Sequence, residues 1–180
     1  IRDRYMVGGE ANCNFGETIE CCRRNRYNST LYHKALVNGT VPREQIGKPA
    51  GYWGELKCDT PWALLGSAVD AIRNVGGKEG YDLGLFTGDQ TVHDDLFRYS
   101  HDLVKYSEEA VSDILKYALD DAPLMATPGN HDSSPENTFA PHNLPAGRGQ
   151  QHSWDAEHVS SLWRSKGWID NEAAQDARKH

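Results

Sequence analysis

The sequence predicts an α/β fold built on one strand-helix-strand unit, preceded by an irregular, cross-linked region. Three observations point to it. Two short apolar runs, Leu83-Gly84-Leu85-Phe86 and Pro123-Leu124-Met125-Ala126-Thr127, flank a long stretch of helical periodicity from about Tyr99 to Leu119, and all four cysteines fall in the first third of the 180 residues. Each apolar run leads into a polar loop, Thr87-Gly88-Asp89 after the first and Pro128-Gly129-Asn130-His131-Asp132 after the second. Strands joined by a helix in this order are parallel with a right-handed crossover, so both loops leave the same edge of the sheet. Asp89 is therefore expected close to Asn130 and His131, although some forty positions separate them.

Residues 1–58 are rich in Gly, Asn, Arg and Cys and show little apolar periodicity, which describes an irregular segment that depends on cross-links. Cys13, Cys21, Cys22 and Cys58 are even in number and share this segment with glycosylation sequons at Asn28 and Asn38. Together these indicate two disulfides and an oxidising compartment. The adjacent Cys21 and Cys22 match no common zinc-finger spacing, while spacing alone leaves all three disulfide pairings open.

A first helix follows. Asp59 or Thr60 can cap it, Pro61 suits its first turn, and Trp62, Leu65, Val69 and Ile72 recur on one face until Gly76-Gly77 ends it. In the second helix Leu103, Tyr106, Ile114, Leu115 and Ala118 are expected on the inner side, with Glu108-Glu109 and Asp120-Asp121 solvated. Beyond a Gly-rich stretch after Pro145, helical patterns return around Trp154 to Lys166 and Asn171 to Lys179, where Trp154, Trp163 and Trp168 are expected to pack inward.

Composition narrows the function. With 38% hydrophobic and 25% charged residues the chain suits one domain or part of one, and disorder throughout is disfavoured. A formal charge of −7 and a pI near 5.6 argue against a nucleic-acid-binding module. No apolar run approaches the roughly 18 to 20 residues of a transmembrane helix. The opening Ile1-Arg2-Asp3-Arg4 has no signal-peptide pattern and no Met precedes it, as expected of a processed product or an excerpt, so it carries no information about secretion.

The two loops carry the chemistry. Asp89 offers two carboxylate oxygens that can bridge two cations, and Asn130 offers a neutral carbonyl oxygen; both are hard ligands suited to divalent metals. A metal pair about 3.5–4 Å apart can clamp a phosphoryl group and activate water. His131, beside Asn130, is placed to give a proton to a leaving oxygen. Either loop alone reads as an ordinary turn; the two together, each after a strand, read as a site.

At this point the residues resemble a known family. Thr87-Gly88-Asp89 and Gly129-Asn130-His131-Asp132 are similar to two blocks of the calcineurin-like metallophosphoesterases. A closer resemblance is to the acid sphingomyelinases and acid sphingomyelinase-like phosphodiesterases: Gly88-Asp89 with His93-Asp94, and Gly129-Asn130-His131-Asp132-Ser133-Ser134-Pro135 followed by Asn137 and Phe139. Cys21-Cys22-Arg23-Arg24 and Gly51-Tyr52-Trp53-Gly54-Glu55 through Lys57-Cys58-Asp59 extend it over nearly the whole chain. Asp132 stands where that family usually has Glu.

The resemblance implies that residues 1–180 are a portion of one catalytic domain, with 1–58 as its disulfide-rich segment and 59–180 as part of a β-sandwich flanked by helices. It implies two zinc ions, with Asp89 as bridging ligand and Asn130 as a ligand of one ion. His131 becomes the leaving-group acid or transition-state stabiliser, and His93 a histidine on the phosphate side. Cys13 is expected to pair with Cys21, and Cys22 with Cys58. The implied reaction is hydrolysis of sphingomyelin to ceramide and phosphocholine, by a secreted or lysosomal (vacuolar) glycoprotein that meets its sphingolipid at a membrane surface. The alternatives are a secreted phosphodiesterase acting on nucleotides or other soluble esters, and a non-catalytic secreted fragment. The family's remaining metal-ligand blocks would lie before Ile1 and after His180, in the rest of the same domain, so residues 1–180 alone are expected to be inactive.

Overall fold

A computed structural model describes residues 5–9, 11, 21–23, 33–34, 37–39, 48–93, 99–139 and 153–179. The chain forms two compact units, Ile1–Ala68 with Val92–Asp95 and Val69–Thr91 with Leu96–His180.

In the first unit a small core gathers Ala11, Cys21, Cys22 and Ala50, with Tyr5 and Cys58 packed against it. Among the described residues this core is small, and covalent closure adds to what holds it. Cys22 is bonded to Cys58 across 36 residues, a loop whose closure restricts the unfolded chain by about 4 kcal/mol. Cys21 is also disulfide-bonded, and its expected partner Cys13 lies outside the described residues, as does the sequon asparagine Asn28. Asn38, the other sequon asparagine, is exposed. Backbone bonds cross-connect this segment: Met6 N–H donates to the Cys22 carbonyl at 2.7 Å and Ala50 N–H to the Gly9 carbonyl at 2.7 Å. The sulfurs of Cys21, Cys22 and Cys58 lie within 4.8 Å of one another. As oxidised cystine sulfur they are not the thiolates that a metal would require.

Helix α1, Trp62–Gly76, buries Val69 and half-buries Trp62, Leu65 and Ile72, the face its periodicity predicts. It stops at Gly77, whose backbone adopts φ +58° so that its N–H can reach the Arg73 carbonyl at 3.0 Å.

In the second unit β1 (Gly84–Phe86), α2 (His101–Leu119) and β2 (Leu124–Ala126) form the strand-helix-strand unit. The strands are parallel, with Gly84 opposite Leu124, Leu85 opposite Met125 and Phe86 opposite Ala126. Gly84 has no side chain because a Cβ there would come 2.7 Å from the side chains of both Leu119 and Leu124. Leu85 and Met125 are 74% and 65% exposed, so these strands are covered on one face rather than buried, as their uniform apolarity suggests. Helix α2 begins two residues later than expected, because the Ser100 hydroxyl accepts the Leu103 N–H and caps it. Helices α3 (Ser153–Ser165) and α4 (Asn171–Ala177) follow, and Trp154 stacks on His101 at 4.2 Å, which makes it a packing residue.

The buried face of α2 differs from the sequence expectation. Val104, Ser107, Glu108, Val111, Ser112 and Ala118 are buried, Tyr106 is exposed, and Leu103, Ile114 and Leu115 are only half-buried. Glu108, expected in solvent, is fully buried, while Glu109, Asp120 and Asp121 are exposed as expected. The helix is turned because α3 brings its own polar groups to meet it: His158 Nε2 lies 3.2 Å from Glu108 Oε2, and Asp155 is buried nearby. Burial, then the Asp155, Asp132 and Glu109 charges, push the Glu108 carboxyl up to about 9, against a weaker pull from Lys105. Burial, then Asp132, pushes Asp155 up to about 7. His158 is held below its ordinary value, first by burial and also by Lys105, opposed by Glu109 and the Lys105 carbonyl.

These shifts have a direction in pH. Both carboxyls keep their protons in the folded chain where the unfolded chain has released them, so their contribution is complete below the ordinary carboxylate range and is lost as pH rises through about 7 and about 9. His158 acts oppositely, its contribution being lost as pH falls below its ordinary value. The thermal midpoint of the complete protein should therefore fall as pH is raised from about 5 to about 9, with a ceiling of about 1.4 kcal/mol per pH unit for each proton. Glu108→Gln, which has no proton to lose, should flatten that decline. Parallel profiles for wild type and variant would show that Glu108 carries none of it.

Candidate active site

The second unit joins the loops after β1 and β2 edge to edge. A Cβ on Gly88 would lie 2.0 Å from the Gly129 nitrogen, and one on Gly129 would lie 2.2 Å from Asp89 Oδ1. Only hydrogen fits at either place, so the two glycines are what allow the Asp89 carboxylate to sit against the second loop. Gly88 and Asp89 both adopt left-handed backbone, at φ +82° and +60°. For a residue with a side chain this conformation is unusual and is held by its surroundings.

Those surroundings centre on Asp132, which is fully buried. Its Oδ2 accepts the N–H groups of Asp89 at 2.7 Å and Gly129 at 2.9 Å. Its Oδ1 accepts the N–H groups of Gln90 at 2.8 Å and Thr91 at 3.3 Å, with the Thr91 hydroxyl at 3.4 Å. One carboxylate thus collects successive amides of the first loop and an amide of its own loop. Charge-assisted bonds of this kind are about twice as strong as neutral ones.

Asp89 and His131 meet directly, the His131 N–H donating to Asp89 Oδ1 at 3.2 Å. The Tyr99 hydroxyl donates to the His131 carbonyl, and burial raises the pKa of that hydroxyl, which keeps it a donor. Asn130 is exposed and oriented by Asn137: its Nδ2 donates to Asn137 Oδ1 at 2.9 Å, and the Asn137 N–H donates to the Asn130 carbonyl at 2.8 Å. With the amide nitrogen so engaged, Oδ1 is the Asn130 atom suited to a cation. Asn137 itself sits at φ +62°, a conformation asparagine tolerates better than most residues.

The structure therefore brings Asp89, Asn130 and His131 to one sheet edge. His93 belongs to the first unit, where its Nδ1 lies 2.8 Å from Asp59 Oδ1, and Asp59 also pairs with Arg23 at 2.9 Å. Three residues that shape the site escaped the sequence reading. Asp132 was visible in the motif but its role was not, and neither the Tyr99 bond nor the Glu136 carboxylate, 2.9 Å from His131 Nδ1, has a signal in spacing.

The donor set fits divalent cations. An exposed carboxylate and an oriented amide oxygen, both on loops fixed from behind, offer hard oxygen ligands. A parallel strand pair with Asp, Asn and His on the loops at one edge describes an α/β protein with hard oxygen donors at its strand ends. No family model matches the chain. The chain is 31% identical over 176 residues to a sphingomyelin phosphodiesterase of Bos taurus, covering 97% of this chain and 24% of that protein. It is 34% identical over 124 residues to acid sphingomyelinase-like phosphodiesterase 3b of Mus musculus, covering 69% of this chain and 24% of that protein. To sphingomyelin phosphodiesterase 2 of Caenorhabditis elegans it is 29% identical over 178 residues, covering 96% and 27%. The chain belongs to the family of acid sphingomyelinases and acid sphingomyelinase-like phosphodiesterases, and it spans about a quarter of the length of these curated relatives.

Proposed function

We propose that the protein to which this chain belongs hydrolyses a phosphodiester, with sphingomyelin as substrate and ceramide and phosphocholine as products. The observation that carries this reading is the meeting of Asp89, Asn130 and His131 on two loops clamped by Asp132. Asp89 and Asn130 would hold divalent cations, zinc by family resemblance, which when bound supply charge for the phosphoryl group and lower the pKa of water. Asp89 keeps its carboxylate against Gly129, Asn137 keeps the Asn130 amide oxygen available, and His131 gives a proton to the departing oxygen. On this reading further metal ligands would be supplied by the rest of the protein, since the chain spans about a quarter of its relatives' length. The Cys22–Cys58 disulfide supports a secreted or lysosomal site of action, and among the described residues no helix is long and apolar enough to cross a membrane.

A second reading is a secreted phosphodiesterase acting on nucleotides or other soluble esters; the chain resembles a protein named as an acid sphingomyelinase-like phosphodiesterase as well as those named as sphingomyelin phosphodiesterases. Bound metal per chain and turnover of sphingomyelin in detergent, set against turnover of a nucleotide diester, test both. Metal with preferential sphingomyelin turnover is the expected result. Preferential turnover of the nucleotide ester would replace the first reading by the second, and a protein that binds no metal and hydrolyses neither would be the non-catalytic alternative.

A further inference from the structure

We propose that the loop of residues 48–57, with the adjoining start of α1, is a membrane-docking face on which Tyr52, Trp53 and Leu56 enter the headgroup layer of an anionic lipid surface. The inference rests on the proposed function for the nature of the substrate and adds the surface through which the protein meets the bilayer. Tyr52 and Trp53 are each 60% exposed, Leu56 is wholly exposed, and Leu64 on α1 is exposed as well. Trp53, Leu56, Pro61 and Leu64 line one open cleft of about 280 Å³, and all of them belong to the first unit.

This exposure belongs to a braced loop. The disulfide to Cys22 anchors it at Cys58, the Tyr5 hydroxyl donates to the Gly51 carbonyl at 2.6 Å, and Gly51 pairs with Gly54 in an antiparallel bridge that leaves Tyr52 and Trp53 at the tip. The two rings meet edge to face, 5.0 Å apart. Gly54 adopts φ +116° and lies against the start of α1, where a Cβ would come 3.3 Å from the Pro61 ring. A large ring with one polar N–H or O–H is suited to the layer between water and hydrocarbon, since its body and its tip favour opposite sides.

Charge selects the partner. Between positions 48 and 58 the sequence places Lys48 and Lys57 against one carboxylate, Glu55, in a chain whose formal charge is −7. Both lysines are exposed; Lys48 donates to Glu55, and the charge of Lys57 also reaches that carboxylate. Tyrosine and tryptophan suit a protein interface too, but lysine is depleted there, whereas lysines beside interfacial rings are what an anionic headgroup layer attracts. The exposed Leu85 and Met125 of the strand pair, aliphatic and without such rings, form the contrasting kind of surface that another layer of protein covers.

The test uses the complete protein and vesicles of phosphatidylcholine containing phosphatidylserine. Wild type should bind them and lose affinity as salt is raised. Trp53→Ala and Leu56→Ser should each weaken binding by about 10-fold, and Lys57→Gln by about 5-fold. Vesicles carrying brominated phosphatidylcholine should quench the tryptophan fluorescence of wild type more than that of Trp53→Phe, which keeps the apolar contact. In Trp53→Ala, turnover of sphingomyelin in vesicles should fall with binding, while turnover of a soluble nitrophenyl diester stays within about twofold and the thermal midpoint is unchanged. Wild type that ignores the vesicles, or equal quenching in wild type and Trp53→Phe, would overturn the docking face. So would a Trp53→Ala variant that loses thermal midpoint and both kinds of turnover together, because the rest of the protein would then be what covers these residues. If lipid quenches Trp53 but no phosphodiester is turned over, the functional reading fails and the docking face stands. If sphingomyelin in detergent is turned over but vesicles are not bound, the functional reading stands and the docking face falls.

Discussion

Asp132→Ala in the complete protein is expected to remove metal binding and turnover together, although the buried Asp132 carboxylate is engaged by backbone amides. Its carboxylate is the shared acceptor for the amides of Asp89, Gln90, Thr91 and Gly129, and it has no solvent exposure through which water could replace it. Alanine would leave those N–H groups buried and unpaired at a cost of about 3–5 kcal/mol. The left-handed turn at Asp89 would lose what holds it, and the carboxylate would leave its place against Gly129. Asp132→Asn keeps the volume but presents an amide nitrogen to at least one N–H, so an intermediate loss is expected. Asp132→Glu adds a methylene to a filled site, at a cost of about 1–3 kcal/mol unless the loops shift. Metal per chain, measured beside the thermal midpoint, separates these cases. An alanine variant that folds and retains full metal content would mean that the loops are held by something other than Asp132.

The order of elements was legible in the sequence and the inward faces were not. Leu83–Phe86 and Pro123–Thr127 stand out because apolar runs bounded by Gly and Pro are punctuated locally, and the helix between them shows its length without reference to anything else. Which side of that helix turns inward is decided by α3, some forty residues later. Periodicity places Leu103 and Tyr106 on the buried face and leaves Glu108 in water, and it has no means of knowing that His158 and Asp155 will meet Glu108. The same limit applies at the site. Asp89, Asn130 and His131 could be named because their residue types suit a chemistry and their loops follow strands. Asp132, Tyr99 and Glu136 act through directions that side chains take after folding, and a carboxylate that collects backbone amides looks in sequence like one that faces solvent. In the first unit the half-cystines were countable, but only the resemblance chose a pairing, and Cys22 with Cys58 is the pair the structure describes.

His131→Ala should lower turnover of a phosphodiester with an alcohol leaving group by about two to four orders of magnitude while leaving metal content near that of wild type. The backbone of His131 bonds to Asp89 and Tyr99 through its N–H and carbonyl, and alanine keeps both groups, so the clamp between the loops survives the change. What is lost is the ring, and with it the proton that an alkoxide needs in order to depart. An alkoxide is a poor leaving group, so its departure in the transition state depends on that proton; a nitrophenolate carries its charge without help. Turnover of a nitrophenyl ester should consequently be much less sensitive to the substitution, and the ratio of the two losses measures how far proton donation, rather than positioning, is the work of the ring. Loss of metal in His131→Ala would instead make the histidine a ligand, and equal slowing of both esters would make it a group that holds the phosphoryl oxygens.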